Sequence, residues 1–223
     1  MTGERWSVAR AHGPAGPFHA RELPEPLTRT AWVLSVPRPA LVLGSTQPDA
    51  VVDLDAARTA GIEVVRRRSG GGAVLLQPAE ALWVDLLVPR HDALWVDDVG
   101  RAAYWLGDAW AAALAGLGIE ATAHRGGFVP TRWSRWICFA ALGPGEVTVS
   151  GRKVVGVSQR RTRAGARLQC VVLARWEPEV LLSLLALSSA ERREAADELR
   201  GVAAAVAVPL AALEREFVRH LPT

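Results

Sequence analysis

The side chains best suited to chemistry fall in two short stretches. Among 26 cationic residues Lys153 is the only lysine, and it stands in Gly151-Arg152-Lys153-Val154-Val155-Gly156. Arginine is a planar fork, whereas lysine carries a compact point charge on a thin stem. A lone lysine in an arginine-rich chain suggests a narrow cleft reaching a phosphate or acyl group. Upstream of it, Cys138-Phe139 offers a thiol, which a nearby cation would support as thiolate during nucleophilic catalysis. The other stretch is Arg66-Arg67-Arg68-Ser69-Gly70-Gly71-Gly72-Ala73-Val74. Three consecutive glycines let backbone approach a ligand closely and present N–H groups to an anion. Arg66 and Arg67 could clamp a carboxylate or phosphate with paired hydrogen bonds. No Gly-Lys-Ser/Thr follows, so this is not a P-loop, nor is it a dinucleotide-binding fingerprint. The same residues also read as a solvated basic turn, a surface lysine and a small buried cysteine.

Those residues must be held by regular elements. Apolar runs Ala31–Val36 and Ala40–Gly44 flank Pro37-Arg38-Pro39 and predict two strands around a stiff turn. Asp53 caps a short helix that Gly61 stops, and Ile62–Arg67 forms a strand entering the glycine run. Ala73–Leu76 and Leu82–Val88 continue as strands. The spacing of Val99, Ala103, Leu106, Trp110, Leu114 and Leu117 predicts a helix from Val96 to Leu117. A Gly/Pro/Arg-rich stretch, His124–Ser134, predicts a long loop, with His124 a candidate acid or base or simply a solvated side chain. Val147–Val149 and Lys153–Arg160 flank Ser150-Gly151 as a two-residue hairpin. Arg167–Leu173 adds a strand with Cys170 in the core, and helices follow from Pro178. Strands and helices mix without a strict alternation, which points to an α+β fold with a mixed, mostly antiparallel sheet flanked by helices.

The glycine loop and the lysine hairpin, in this order and at this spacing, resemble the lipoate–protein ligase A and octanoyltransferase family of the biotin/lipoate ligase fold. The matching segments are Arg66–Val74 and Gly151-Arg152-Lys153-Val154-Val155-Gly156-Val157-Ser158-Gln159, supported by Val42-Leu43-Gly44-Ser45-Thr46-Gln47. The resemblance implies one catalytic domain over residues 1–223, and the stretch after Leu173 is expected to finish that domain rather than form the accessory domain that bipartite ligases carry. It implies a tunnel for lipoate or octanoate and an acyl-adenylate held by Lys153, with ATP and Mg as co-substrates. Arg66, Arg67, Ser69, Gly70, Gly71, Gly72, Ala73, Gly151 and Gly156 would surround the acyl or adenylate group, and no resident metal is implied. The acceptor would be a lysine of a lipoyl carrier domain of a 2-oxoacid dehydrogenase or of a glycine cleavage H protein.

The chain also departs from the family pattern. Leu75-Leu76-Gln77 replaces an aromatic-His-Asp run, and Gln169-Cys170-Val171-Val172 replaces His-Gly-Thr-Leu. Cys138-Phe139 before the hairpin resembles the cysteine-dependent octanoyltransferases, which move an acyl group from acyl carrier protein through a thioester without ATP. A non-catalytic acyl- or adenylate-binding protein is a third reading. A biotin ligase ranks below these, since its Gly-Arg-Gly-Arg type loop is absent. Arg160, Arg161 and Arg163 could dock an acidic carrier.

Composition narrows the field. The formal charge of +3 over 223 residues is modest, and no nucleic-acid-binding motif accompanies the arginine clusters. Two cysteines make no disulfide framework. No run of 18 apolar residues would span a membrane. The expected location is the cytoplasm.

Overall fold

The structure, a computed structural model, describes residues 5–223. A seven-stranded sheet runs in the order β1 (Ser7–His12), β2 (Thr30–Ser35), β6 (Ala81–Pro89), β10 (Gly165–Leu173), β9 (Arg152–Arg161), β8 (Val147–Val149) and β7 (Thr122–Ala123). A smaller sheet is built from β4 (Glu63–Arg66), β3 (Ala40–Leu43) and β5 (Val74–Leu76). Only the β1/β2 and β3/β4 pairs are parallel. The fold is therefore α+β with mixed, mostly antiparallel sheets.

Period-two patterning makes β6 and β10 two-faced. Leu82, Val84, Leu86 and Val88, with Leu168, Cys170 and Val172, point to one side. There they meet α3 (Tyr104–Ala115) and α6 (Leu210–Arg219), where Trp110 stacks on Phe217 with ring centroids 3.7 Å apart. Trp83, Leu87 and Leu173 point to the other side, against the small sheet and the buried residues of α4 (Pro178–Ser183) and α5 (Ser189–Val202). Each such buried Leu or Val stabilises the fold by about 1.5–3 kcal/mol.

Several local expectations hold. Asp53 accepts from the Ala56 amide and caps α2 (Leu54–Thr59), and Gly61 follows at φ +66°. Ser188 and Glu191 form a reciprocal capping box on α5. The β8–β9 hairpin turns through Ser150 and Gly151, both at positive φ (50° and 75°), as the two-residue turn requires.

One expectation is corrected. Helix α3 begins at Tyr104 rather than Val96. The carbonyls of Val96, Asp97 and Val99 instead accept from Arg161 and Gln159 on β9, so the segment is fastened to the sheet as turns. The two strands expected around Pro37-Arg38-Pro39 are both present and lie in different sheets. β2 joins the large sheet and β3 the small one, so this turn is where the chain changes layer. Strand β1 and helix α1 (Ala15–Ala20) were not anticipated. β1 is a mostly exposed edge, and α1 is six residues long with Pro17 inside it and no side-chain cap.

Candidate functional site

The hairpin places Lys153 two residues past its turn, buried to 2 % exposure. Its ammonium group has three donors, and each finds an acceptor within the chain. Nζ lies 2.8 Å from the Cys138 carbonyl, 3.0 Å from the Ala141 carbonyl and 2.7 Å from Glu146 Oε1. Glu146 is itself buried at 4 % exposure. Its Oε1 also accepts from the Val157 amide at 2.9 Å, and Oε2 from the Gly143 amide at 2.7 Å. Lys153 and Glu146 thus fasten the turn from Cys138 to Gly143 onto β9. The Phe139 ring packs 5.1 Å from Nζ and fills the space beside Gly156, where a Cβ would lie 3.2 Å from it.

The glycine loop grips the same turn from the opposite side. The Ala73 amide donates to the Trp136 carbonyl, and the Cys138 amide donates back to Ala73. A Cβ on Gly72 would lie 2.5–2.8 Å from the Ile137 and Cys138 backbone, so only glycine permits this approach. Gln47 accepts from the Gly44 amide and donates to the carbonyls of Arg135 and Trp136, tying the end of β3 to the cysteine segment. Arg67 is buried, and its guanidinium donates to the carbonyls of Gly70 and Gly72 at 2.7 and 2.8 Å. Among the described residues no carboxylate is paired with it. Burial pushes the pKa of Arg67 down from its ordinary value, opposed by the neighbouring Cys138 and Glu146 side chains.

Two cavities meet at this turn. The outer one, about 310 Å³, is lined by Gly70, Gly71 and Gly72 on one side and by Glu146 and Lys153 on another. Lys153 is its only cationic lining residue among those described. Val99 and Phe128, exposed at 57 % and 63 %, stand among its walls. The inner one, about 30 Å³, is a narrow slot between the sheets. Val42, Val74, Leu76, Trp83, Phe139 and Val171 give it apolar walls, and His19, Arg67, Ser158 and Gln169 add polar ones. Cys138, Val157 and Ser158 border both cavities, and Cys138 is the only thiol among them.

A narrow slot between two sheets thus adjoins a wider cavity lined by the glycine loop and a buried lysine. A sequence model described as the lipoyl protein ligase A/B catalytic domain matches residues 20–216. The chain belongs to this family. The fold of this lipoyl protein ligase A/B catalytic domain is similar to a bi-partite lipoate protein ligase from Thermoplasma acidophilum, studied with its E2 lipoyl domain. That likeness has a TM-score of 0.73 at 16 % identity and covers 99 % of this chain and 82 % of that one. It is also similar to a lipoate-protein ligase A bound with ATP (TM-score 0.68, 16 % identity, 99 % and 84 % covered). A T. acidophilum putative lipoate protein ligase with bound lipoic acid gives a TM-score of 0.64 at 18 % identity, with 99 % and 86 % covered. No curated protein matches the chain.

The structure brings together Cys138, Lys153, Gly70, Gly71, Gly72, Arg67 and Gly156 around the two cavities. Ser69 lies just behind, its hydroxyl 2.9 Å from Ser158 Oγ and 2.8 Å from Gln169 Oε1. Ala73 is buried in the loop's hydrogen-bonded end, and Gly151 lies in the hairpin turn beside a third cavity. Arg66 faces away from both the inner and the outer cavity. Its guanidinium holds the carbonyls of Gly44 and Gln47 and the Asp49 carboxylate, so the expected clamp on a ligand is instead a clamp on the chain. His124 is a half-buried loop residue bonded to the Gly127 carbonyl. Cys170 is fully buried, and burial pushes its thiol pKa up. Arg161 is spent on the Val96 and Asp97 carbonyls, and Arg160 lies 3.7 Å from Glu22. Among the described residues no three His, Cys, Asp or Glu side chains converge as a metal-ligand set.

Sequence reasoning missed the roles of Glu146 and His19, and had Gln47 only as the end of a matching segment. The signal for Glu146 was available: a buried lysine needs a counter-charge, and Glu146 is the one acidic residue between Cys138 and Lys153. Nothing in a single sequence marked His19.

Proposed function

We propose that this chain is an acyltransferase of lipoate metabolism that carries a medium-chain acyl group on Cys138 and delivers it to a lysine of a lipoyl carrier domain. The observation that carries the reading is the position of Cys138, the one thiol bordering both a narrow apolar slot and the wider outer cavity. In the first step Cys138 Sγ attacks the carbonyl carbon of an acyl thioester on a carrier protein. The new S–C bond forms, the carrier's S–C bond breaks, and the thiol proton passes to the departing carrier thiol. In the second step the neutral amine of the acceptor lysine attacks the Cys138 thioester. An amide C–N bond forms, the Cys138 S–C bond breaks, and the amine's proton returns to the cysteine. Neither step consumes ATP.

Within this reading, Lys153 and Glu146 hold the Cys138 turn in place. The slot takes the acyl chain, and the glycine amides lie on the wall where an oxyanion would develop. The outer cavity supports this choice further, because its one lining cation is already neutralised by Glu146, whereas a triphosphate asks for several free positive groups.

A second reading, an ATP-dependent ligase making an acyl-adenylate beside Lys153, is supported by likeness to the ATP-bound ligase A and the lipoic-acid-bound relative. The glycine amides fit an anion, but Lys153 would have to leave Glu146 to meet it. The two readings divide in one experiment. The chain is incubated with octanoyl carrier protein and no ATP, and its intact mass is measured. An added octanoyl group on Cys138, absent in Cys138→Ser, with lipoyl-domain modification falling more than a thousandfold in that variant, is expected. Modification that requires ATP and survives Cys138→Ser overturns the transferase reading in favour of the ligase.

A further inference from the structure

The inner slot has one feature that a plain hydrocarbon chain does not use. His19, on α1, lines it at 5 % exposure, and its Nε2 has no hydrogen-bond partner. The ring is fixed, since it stacks on Trp83 with centroids 4.4 Å apart and an interplanar angle of 23°. On its other side Gln169 Nε2 approaches Nδ1 at 3.4 Å. An amide NH₂ can only donate, so Nδ1 is the acceptor and Nε2 carries the hydrogen. The imidazole is neutral: burial, with help from Arg167 and Arg67, lowers its pKa to about 3. A buried N–H without an acceptor is costly and uncommon in native proteins.

Neighbouring polar groups leave His19 in this position because they are engaged elsewhere. Gln169 Oε1 accepts from Ser69, whose hydroxyl also meets Ser158. Asp85 is taken by Arg167 through Nε at 2.8 Å and through Nη2, and by Trp83 Nε1 at 2.7 Å. Arg67 is turned to the glycine-loop carbonyls. What remains is a slot with largely apolar walls, in which His19 Nε2 is the one buried side-chain nitrogen or oxygen without a partner among the described residues.

We infer that the slot selects an acyl chain bearing a hydrogen-bond acceptor, such as a ketone, along its length, and that His19 Nε2–H reads that atom. This rests on the acyl-transfer reading and specifies its substrate class. A chain with the acceptor in register gains a hydrogen bond at a group desolvated in either case. Octanoate leaves the donor unmatched.

The test is calorimetric binding of free acids to the full chain. Octanoic acid is compared with its monoketone analogues, the ketone moved one carbon at a time through the distal half. One analogue is expected to bind at least tenfold tighter than octanoate, and His19→Phe, which keeps an aromatic face for Trp83, to erase that preference. Octanoate binding as tightly as every analogue overturns the inference while leaving acyl transfer standing, and this comparison needs no variant. A preference that survives in a folded His19→Phe protein also overturns it, by assigning the selection to another group. If no acid binds and octanoyl carrier protein leaves no adduct on Cys138, the acyl-transfer reading fails and takes this inference with it.

Discussion

Two buried cations flank the Cys138 turn, and they are held differently. Lys153 faces a carboxylate, Glu146, and two carbonyls, so its charge is compensated. Arg67 faces carbonyls alone, so its charge is solvated by dipoles but not cancelled. The contrast separates two tasks that a single catalytic cation would otherwise combine. Geometry around Cys138 comes mainly from the lysine side, because a neutral pair fixes atoms without projecting much field. In the proposed transferase, the net positive field at a Cys138 thiolate would come mainly from the arginine side. The lone lysine is therefore explained by its enclosure. Three convergent acceptors match an ammonium, whereas a flat five-donor fork would not fit them.

The largest expected effect tests the compensated side. Lys153→Met leaves Glu146 buried without its counter-charge, and stability should fall by about 3–5 kcal/mol in urea unfolding. Adding Glu146→Gln should restore much of that loss while transfer stays impaired, because the Cys138 turn has lost its anchor. Full activity in the double variant would break the assignment of Lys153 to positioning. Next in size is Arg67→Gln, which removes donors from the Gly70 and Gly72 carbonyls. A loss of about 1–3 kcal/mol is expected, with thioacylation of Cys138 slowed about tenfold as the uncompensated charge disappears. Unchanged thioacylation, read by intact mass against time, would move the field back to Lys153.

The smallest effect is one of pH. In the folded chain His19 stays neutral down to about pH 3, whereas in the unfolded chain it titrates near its ordinary 6.5. Between those values the unfolded state binds the extra proton, so stability falls as pH drops, by about 1 kcal/mol from pH 6 to pH 5 for this group alone. Urea unfolding at both pH values should show that increment in the wild type and not in His19→Gln. Equal slopes would mean that the imidazole is hydrated in the fold and would weaken the case for an orphan donor.

Much of the architecture was legible because its signals are local. The Asp53 and Ser188 caps, the Ser150-Gly151 turn and the two-faced strands each depend on residues within a few positions of one another. The start of α3 was misread because Gln159 and Arg161, far along the chain, capture the carbonyls that a longer helix would have used. For the same reason Arg66 looked like a ligand clamp, since its true partners lie across the β3–α2 connection.

The sequence by itself determined the two motifs, their order, the sheet-forming periodicity and the presence of a thiol ahead of a lysine hairpin. These are properties of residue type and spacing. Only the tertiary structure decided what each polar group faces. It closed the Lys153 ammonium with Glu146, turned Arg67 onto the glycine loop, set Cys138 where two cavities join, and left His19 Nε2 without an acceptor. The physical reason is that burial and hydrogen bonding are settled between segments distant in sequence, and a side chain's chemistry follows from its neighbours in space.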